Sequence, residues 1–329
     1  MEKQTGQKQI KIEEKASFGT RVLAIYSRFG ILIILLLMVI AITLATNRFI
    51  QPQNLINIIR QISFIAIIGM GVTFIIITGG IDLSSGSVCG LVSALATMSG
   101  KSADSLVVGL LVGLAIGAVA GLINGFFIAK TKIPPFIATL GMMEIARGIA
   151  LLVTNGRPVG GIHRGFAFLG GGDIFGIPVP IIVLLIVTVL MFLLLNKTPF
   201  GRKVMAVGGN EQAAIISGIN VGKIKVLVYT LGGLLAAVAG ILMTGRVDSG
   251  QPTLGLGYEM DAVASAVIGG TSLSGGVGSI WGTLGGALVI GVINNGMELL
   301  SVNAYWQQIV KGAIIIAAVV LDQAKNRKK

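Results

Sequence analysis

Long apolar runs alternate with short polar stretches over almost the whole chain. The pattern predicts membrane-crossing helices at residues 29–46, 55–78, a segment ending near 99, 105–129, 133–154, 181–195, 226–244, 281–299 and 308–321. Most of these approach or exceed the length at which an apolar helix spans a bilayer. Residues 262–270 are apolar but too short to cross alone. Together they predict an all-α, polytopic helical membrane protein with about ten transmembrane helices, broken and short segments included. The basic segment 1–28 lies in the cytoplasm, residues 29–322 form the membrane domain, and 323–329 are a basic cytoplasmic tail. The run at 29–46 reads as a retained first helix rather than a signal peptide, because its leader is long and further spans follow.

Two glycine-rich breaks interrupt the pattern. The first, "GGIDLSSGS", contains Gly79, Gly80, Asp82, Ser84 and Gly86; the second, "GGTSLSGGVG", contains Gly269, Gly270, Ser274 and Gly276. They match as Gly-Gly-x-x-Leu-Ser-x-Gly at a spacing of 190 residues. Duplicated halves with broken helices are a recurring transporter design, although chance matching competes in a chain with 48 glycines. Gly109, Gly113, Gly117, Gly121 and Gly125 recur every four residues and make a smooth strip that permits tight helix crossing.

The polar stretch 196–225 stands apart. It carries Lys197, Arg202, Lys203, Lys223 and Lys225 against one acid, Glu211, so it is expected to face the cytoplasm. A short helix is expected inside it. Asn210 is its N-cap, Glu211 suits the positive end of the helix dipole, and Gly218 supplies a left-handed C-cap. Gln212, Ala213, Ala214, Ile215, Ile216 and Ser217 lie between. Such a piece is not stable alone in water. It reads either as a peg for a cytoplasmic partner or as a capped helix lying on its own protein or on lipid.

Composition agrees: 54% of residues are hydrophobic and 12% charged, against roughly a quarter charged in soluble domains. The formal charge of +12 is topological rather than a nucleic-acid footprint. Of the 25 Lys/Arg, 18 fall on segments assigned to the cytoplasmic side, with Lys311 counted among them. The segment 155–177 is expected to be an external loop, as is 245–261. Within 133–154, Glu144 and Arg147 lie three apart on one helix face. An isolated charge at the bilayer centre costs about 2.5–3.5 kcal/mol, so they read either as a structural ion pair or as polar lining of a solute path. Cys89 reads as packing, and His163 has no Cys or acidic companions at metal-ligand spacing. No phosphate-binding G-x-x-x-x-G-K-[ST] loop is present, and intramembrane acids are sparse, with Asp82, Glu144 and Asp261 as candidates.

The loop helix resembles the coupling loop of ATP-binding-cassette importer permeases. Gln212-Ala213-Ala214-x-x-x-Gly218 keeps the family's Glu-Ala-Ala-x-x-x-Gly spacing, with Gln at the Glu position and Glu211 one residue earlier. "GGNEQAAIISGINV", "GGIDLSSGS", "PPFIATLGMMEIARG", "GYEMDAVASAVIGGTSLSGGVGSIWGTLGGALVIGVINNG" and "YWQQIVKG" resemble the ribose and monosaccharide branch over nearly the whole chain. The resemblance implies a bacterial inner-membrane permease, multi-pass, with both termini cytoplasmic, that moves a monosaccharide, ribose being favoured. It implies a second copy of the chain, surrounding lipid, a cytoplasmic ATPase and a periplasmic or lipid-anchored sugar-binding protein. It implies no enzyme activity and no cofactor of the chain's own, ATP being bound by the partner. Asn210, Glu211, Gln212, Ala213, Ala214, Ser217 and Gly218 would receive the ATPase, and the two breaks would shift the gate. Small polar residues near the breaks are candidates for the sugar path: Asn57, Ser63, Thr73, Asn124, Thr139, Asn294 and Asn295. Each also reads as an ordinary helix-to-helix hydrogen bond. The alternative function is a self-sufficient, ion-coupled sugar carrier.

Overall fold

Helix boundaries in the computed structural model, which describes residue 33 and residues 35–326, follow local capping chemistry. The basic segment 1–28, the first residues of the 29–46 run and Arg327–Lys329 lie outside the described residues. The helices are α1 (Leu35–Ala45), α2 (Pro52–Ile77), α3 (Ser85–Ser102), α4 (Leu106–Thr131), α5 (Pro135–Thr154), α6 (Arg164–Gly171), α7 (Val179–Lys197), α8 (Pro199–Gly209), α9 (Glu211–Ile216), α10 (Val221–Val247), α11 (Tyr258–Ile268), α12 (Ile280–Leu299) and α13 (Ala304–Asn326). Six of them, α2, α4, α5, α7, α10 and α12, are long and apolar enough to cross a membrane.

Proline opens α2, α5, α7 and α8 at a first-turn position, where its missing N–H costs nothing. Side-chain caps start others: Ser105 accepts from Val108 N, Asn220 from Lys223 N and Ser279 from Gly282 N. The segment expected as one loop, 155–177, is partly ordered. It holds α6, whose first turn is capped by His163 Nδ1 accepting from Gly165 N at 3.0 Å, and a two-residue hairpin, β1 (Asp173–Ile174) and β2 (Ile177–Pro178). Phe175 and Gly176 both have positive φ at its tip, the geometry a tight two-residue hairpin turn demands.

Helix α2 lies at the centre: 83% of its apolar window is buried, against 22% for α5 and 28% for α4 at the rim. It packs against α10 on one side and α11, α12 and α7 on the others. Helices α4 and α10 meet along the glycine strip. A Cβ on Gly117 would run into Gly233 and Ala237, one on Gly121 into Tyr229 and Thr230, and one on Gly125 into Val226. Gly109 faces Phe166 and Ala96, and Gly113 faces Ile241 and Val92. Without side chains the two backbones touch, which maximises dispersion contact where lipid supplies no hydrophobic drive. Cys89 of α3 packs against α10, its Sγ 3.1 Å from Ala236 O.

Candidate functional site: the cytoplasmic peg and the two helix breaks

The peg helix α9 forms as its caps dictate. Asn210 Oδ1 accepts from Ala213 N at 2.9 Å. At the other end Gly218 takes φ +78°, and Ile219 N returns to Ala214 O at 3.0 Å, a glycine-capped ending. Ala214 is buried underneath, whereas Glu211, Gln212, Ala213, Ser217 and Gly218 are exposed, as is Ile215, and Ile216 is 87% exposed. Lys225 Nζ meets Glu211 Oε2 at 2.8 Å and ties the peg to the first turn of α10. A partly exposed pair of this kind contributes at most about 1 kcal/mol. Beside the peg lies a cavity of about 630 Å³ lined by Ile128, Lys132, Pro134, Ile215 and Lys225, among others.

The stretch 196–225 is not one loop with a single short helix. Thr198 Oγ1 accepts from Gly201 N at 3.2 Å and Pro199 follows, starting α8, which buries Val204 and Val207. Phe200 stacks on Phe74 of α2, ring centroids 6.2 Å apart. At its far end α8 carries Gly208 and Gly209 into a three-way backbone junction. A Cβ on Gly208 would collide with Ile77 O, the last residue of α2, and with Gly276 N in the second break. Gly276 N itself donates to Ile77 O at 2.9 Å. A Cβ on Gly275 would stand 2.7 Å from Gly208 O, and one on Gly276 would stand 2.9 Å from Gly209 Cα. Two residues beyond Gly208 stands Asn210, the N-cap of the peg. The peg, the end of α2 and the second break are therefore joined through backbone, with no intervening side chain.

Both breaks begin alike. Gly79 (φ +78°) and Gly270 (φ +88°) are the left-handed residues that stop α2 and α11, and Gly80 N and Thr271 N return to Ile75 O and Ala266 O at 3.0 Å each. Those glycines are 191 residues apart, one more than the repeat spacing in the sequence. The turns that follow keep the spacing of 190: Ser84 N donates to Asp82 Oδ1 at 2.8 Å, and Ser274 N to Ser272 Oγ at 3.3 Å. Ser84 Oγ also donates to Asp82, at 2.6 Å, and Asn124 Nδ2 donates to Ser84 Oγ at 3.0 Å. Gly86 lies against Glu259 and Gly255 O. Gly269 packs on Gly282, backbone to backbone.

Six of the seven residues named for a sugar path have hydrogen-bond partners within the protein: Asn124 and Thr139 at the first break, the others at separate helix contacts. Thr73 Oγ1 meets Thr283 Oγ1 at 2.6 Å. Thr139 Oγ1 donates to Pro135 O and Ile81 O at 3.0 and 3.3 Å, and Ser63 Oγ donates to Ile59 O at 2.8 Å. Asn295 exchanges amide hydrogen bonds with Asn54 at 2.9 and 3.0 Å, and Asn294 Nδ2 lies 3.4 Å from Asp261 Oδ2. Asn57 is half-buried and the other six are buried. Neither this set nor the pair on α5 lines the cavity beside the peg or the cavity of about 370 Å³ at Gln61, Arg246, Gln251, Tyr258 and Glu298.

Two charge placements differ from the sequence reading. Glu144 and Arg147 form no ion pair. Arg147 Nη1 turns inward and donates to Pro252 O and Leu254 O, since carbonyls of a buried loop offer more than an exposed neighbour on the same helix. Lys311 pairs with Asp261 at 2.9 Å, so it cannot be a cytoplasmic charge while Asp261 closes an external loop. A spacing rule along one helix could not reveal either partner, because both lie tens of residues away in sequence.

Residues 54–319 match the family model described as "Branched-chain amino acid transport system / permease component". A ribose import permease protein of Bacillus subtilis (strain 168) is 47% identical over 304 residues, covering 92% of this chain and 94% of that one. Its counterpart in Escherichia coli (strain K12) is 45% identical over 301 residues, covering 90% and 94%. The L-arabinose transport system permease protein of the same strain is 38% identical over 313 residues, covering 95% and 94%. No solved structure matches the chain. With a family model spanning most of its length and relatives this similar, the chain belongs to the permease-component family of branched-chain amino acid transport systems.

Proposed function

We propose that this chain is the membrane-spanning permease subunit of an ATP-driven importer of a monosaccharide, ribose being favoured by relatives named as ribose import permeases. In this reading a cytoplasmic ATPase grips the exposed face of α9, at Gln212, Ala213, Ile215, Ile216 and Ser217. A separate sugar-binding protein delivers substrate at the outer face, and a second copy of the chain completes the passage. Crossings by α1–α5, α7 and α10–α13 give ten, of which α11 is short. An even count keeps both termini in the cytoplasm of a bacterial inner membrane. ATP is held by the partner, and no bond of the sugar is broken.

One observation carries the reading: the contact of Gly208 and Gly209 with Ile77 and Gly275–Gly276. A displaced peg must push on the end of α2 and on the second break together, because nothing compressible stands between them. That is a two-state element biased by a partner. Asp82, Ser84 and Gly86 hold the first break in place while the second yields.

The test is reconstitution in liposomes. With the ATPase, the binding protein and ATP, ribose should accumulate against its gradient. The chain alone under a proton or sodium gradient should accumulate none. Concentrative uptake by the lone chain would establish the ion-coupled carrier instead.

A further inference from the structure

Helix α5 carries two charges, and the structure sends them in opposite directions. Arg147 points into the protein, to the carbonyls of Pro252 and Leu254. Glu144 stays on the outer face, exposed. It has no hydrogen bond and no ion pair among the described residues. The opposite face of α5, with Thr139, Met142, Ala146, Ala150 and Thr154, is the buried one.

Glu144 also stands clear. Gly141 and Gly148, one turn to either side, are exposed, and a Cβ on either would meet nothing within 4 Å. Around them the helix is apolar: Ile137, Ile145 and Ile149 are exposed on adjoining positions. A carboxylate in the middle of a 20-residue apolar span is costly against lipid and is retained where it meets water or a polar partner. Arg147, the one charge on the same helix that could neutralise it, is engaged elsewhere. Glu144 is too central to reach the lipid headgroups, since it lies nine residues from the start of α5 and ten from its end, roughly 15 Å along the axis either way.

We infer that Glu144 faces the aqueous sugar passage and accepts hydrogen bonds there from sugar hydroxyls. The inference rests on the permease reading above and assigns the passage to this face of α5. A carboxylate is an acceptor with about four lone-pair sites, and a monosaccharide presents several adjacent hydroxyl donors. The contact is single and open, which suits a site that must release its cargo.

The experiment uses the chain reconstituted with its ATPase and binding protein. Glu144→Cys and Ile145→Cys are each treated with a membrane-impermeant, water-soluble thiol reagent, with and without ribose and ATP. The native chain is the blank, because its single thiol, Cys89, is buried. The Glu144→Cys thiol should react about tenfold or more faster than the Ile145→Cys thiol, reflecting a wet against a lipid-facing position. Ribose during turnover should slow that reaction several-fold. Glu144→Gln should fold, bind the ATPase and lower ribose uptake about tenfold, the effect of losing one charge-assisted hydrogen bond. A Glu144→Cys thiol that reacts only with a lipid-soluble reagent overturns the inference. So does fast labelling that ribose leaves unchanged, and so does undiminished uptake by Glu144→Leu. Accessibility to reagent does not depend on the energy source, so it separates failure here from failure of the ATP-driven reading.

Discussion

The two helix breaks share an opening and then diverge. After Gly79 the chain is pinned by side chains. Asp82 holds Ser84, Asn124 of α4 reaches Ser84, and Ile81 O accepts from Thr139 of α5 and Tyr229 of α10 at 3.3 Å each. After Gly270 the connection is longer, reaching Ser279, and contains three left-handed glycines, Gly270, Gly275 and Gly276. Gly275 and Gly276 there meet backbone atoms of Ile77, Gly208 and Gly209, while Gly278 lies against the Ile77 side chain and Leu273 packs on the core. Interlocked side chains resist sliding, whereas glycine seams present smooth faces and have no rotamers to exchange. On the reading proposed above, the first break holds position and the second transmits it. Two similar turns are thus set in different surroundings, side chains around one and glycine backbone beside the other.

The sharpest way to break this contrast is Gly208→Val. Its Cβ collides with Ile77 and Gly276 backbone, which cannot swing aside as a side chain can, and overpacking of this kind costs about 1–3 kcal/mol or more. Ribose uptake should be lost while the ATPase still co-purifies, because α9 is untouched; a pull-down read beside an uptake assay checks both. Next in size is Asp82→Ala, which strips two hydrogen bonds from Ser84. Those bonds, with a carboxylate acceptor, are worth roughly 1.5–3 kcal/mol each when considered singly. The melting temperature in detergent should fall clearly, and a scan by intrinsic fluorescence reads it. If Asp82→Ala leaves stability unchanged, the first break is not the anchored one.

A matched pair comes third. Gly79→Ala and Gly270→Ala each place a methyl in open space, so only the left-handed backbone is penalised, by about 1–2 kcal/mol. Equal stability losses are expected, with uptake reduced more by Gly270→Ala, because its break is the one joined to α8. The smallest effect belongs to Glu211→Gln. It removes one exposed ion pair with Lys225, worth at most about 1 kcal/mol, and ATPase binding should persist. Its loss would show that the peg is held by charge rather than by its caps and the buried Ala214.

Much of this arrangement was legible in the residues, for identifiable reasons. Caps are local, so Asn210 and Gly218 announce the peg, and Ser105 announces α4. Glycines at a spacing of four announce the α4–α10 seam because nothing else packs so closely. Helix α8 was missed although Thr198-Pro199 is a start signal, because its glycines and lysines look like loop. The one-residue slip between Gly79–Gly270 and Asp82–Ser272 was invisible, since a Gly-Gly pair lets either residue adopt the left-handed turn. The partners of Arg147 and Lys311, at Pro252 and Asp261, could not be read from the sequence because they become neighbours only after folding. For the path candidates the sequence left two readings, and the partners that Thr73, Asn295 and Asn124 have in Thr283, Asn54 and Ser84 become visible only after folding.

Asn54 and Asn295 clasp the start of α2 to the last turns of α12 through two reciprocal amide bonds. Twenty-three residues separate that clasp from Ile77, about 35 Å of helix. A rod pinned at one tip and nudged at the other swings like a gate on a post. On the permease reading, a push of about 3 Å at Ile77 would turn α2 through only about five degrees, widening the inner mouth while the outer rim stays shut.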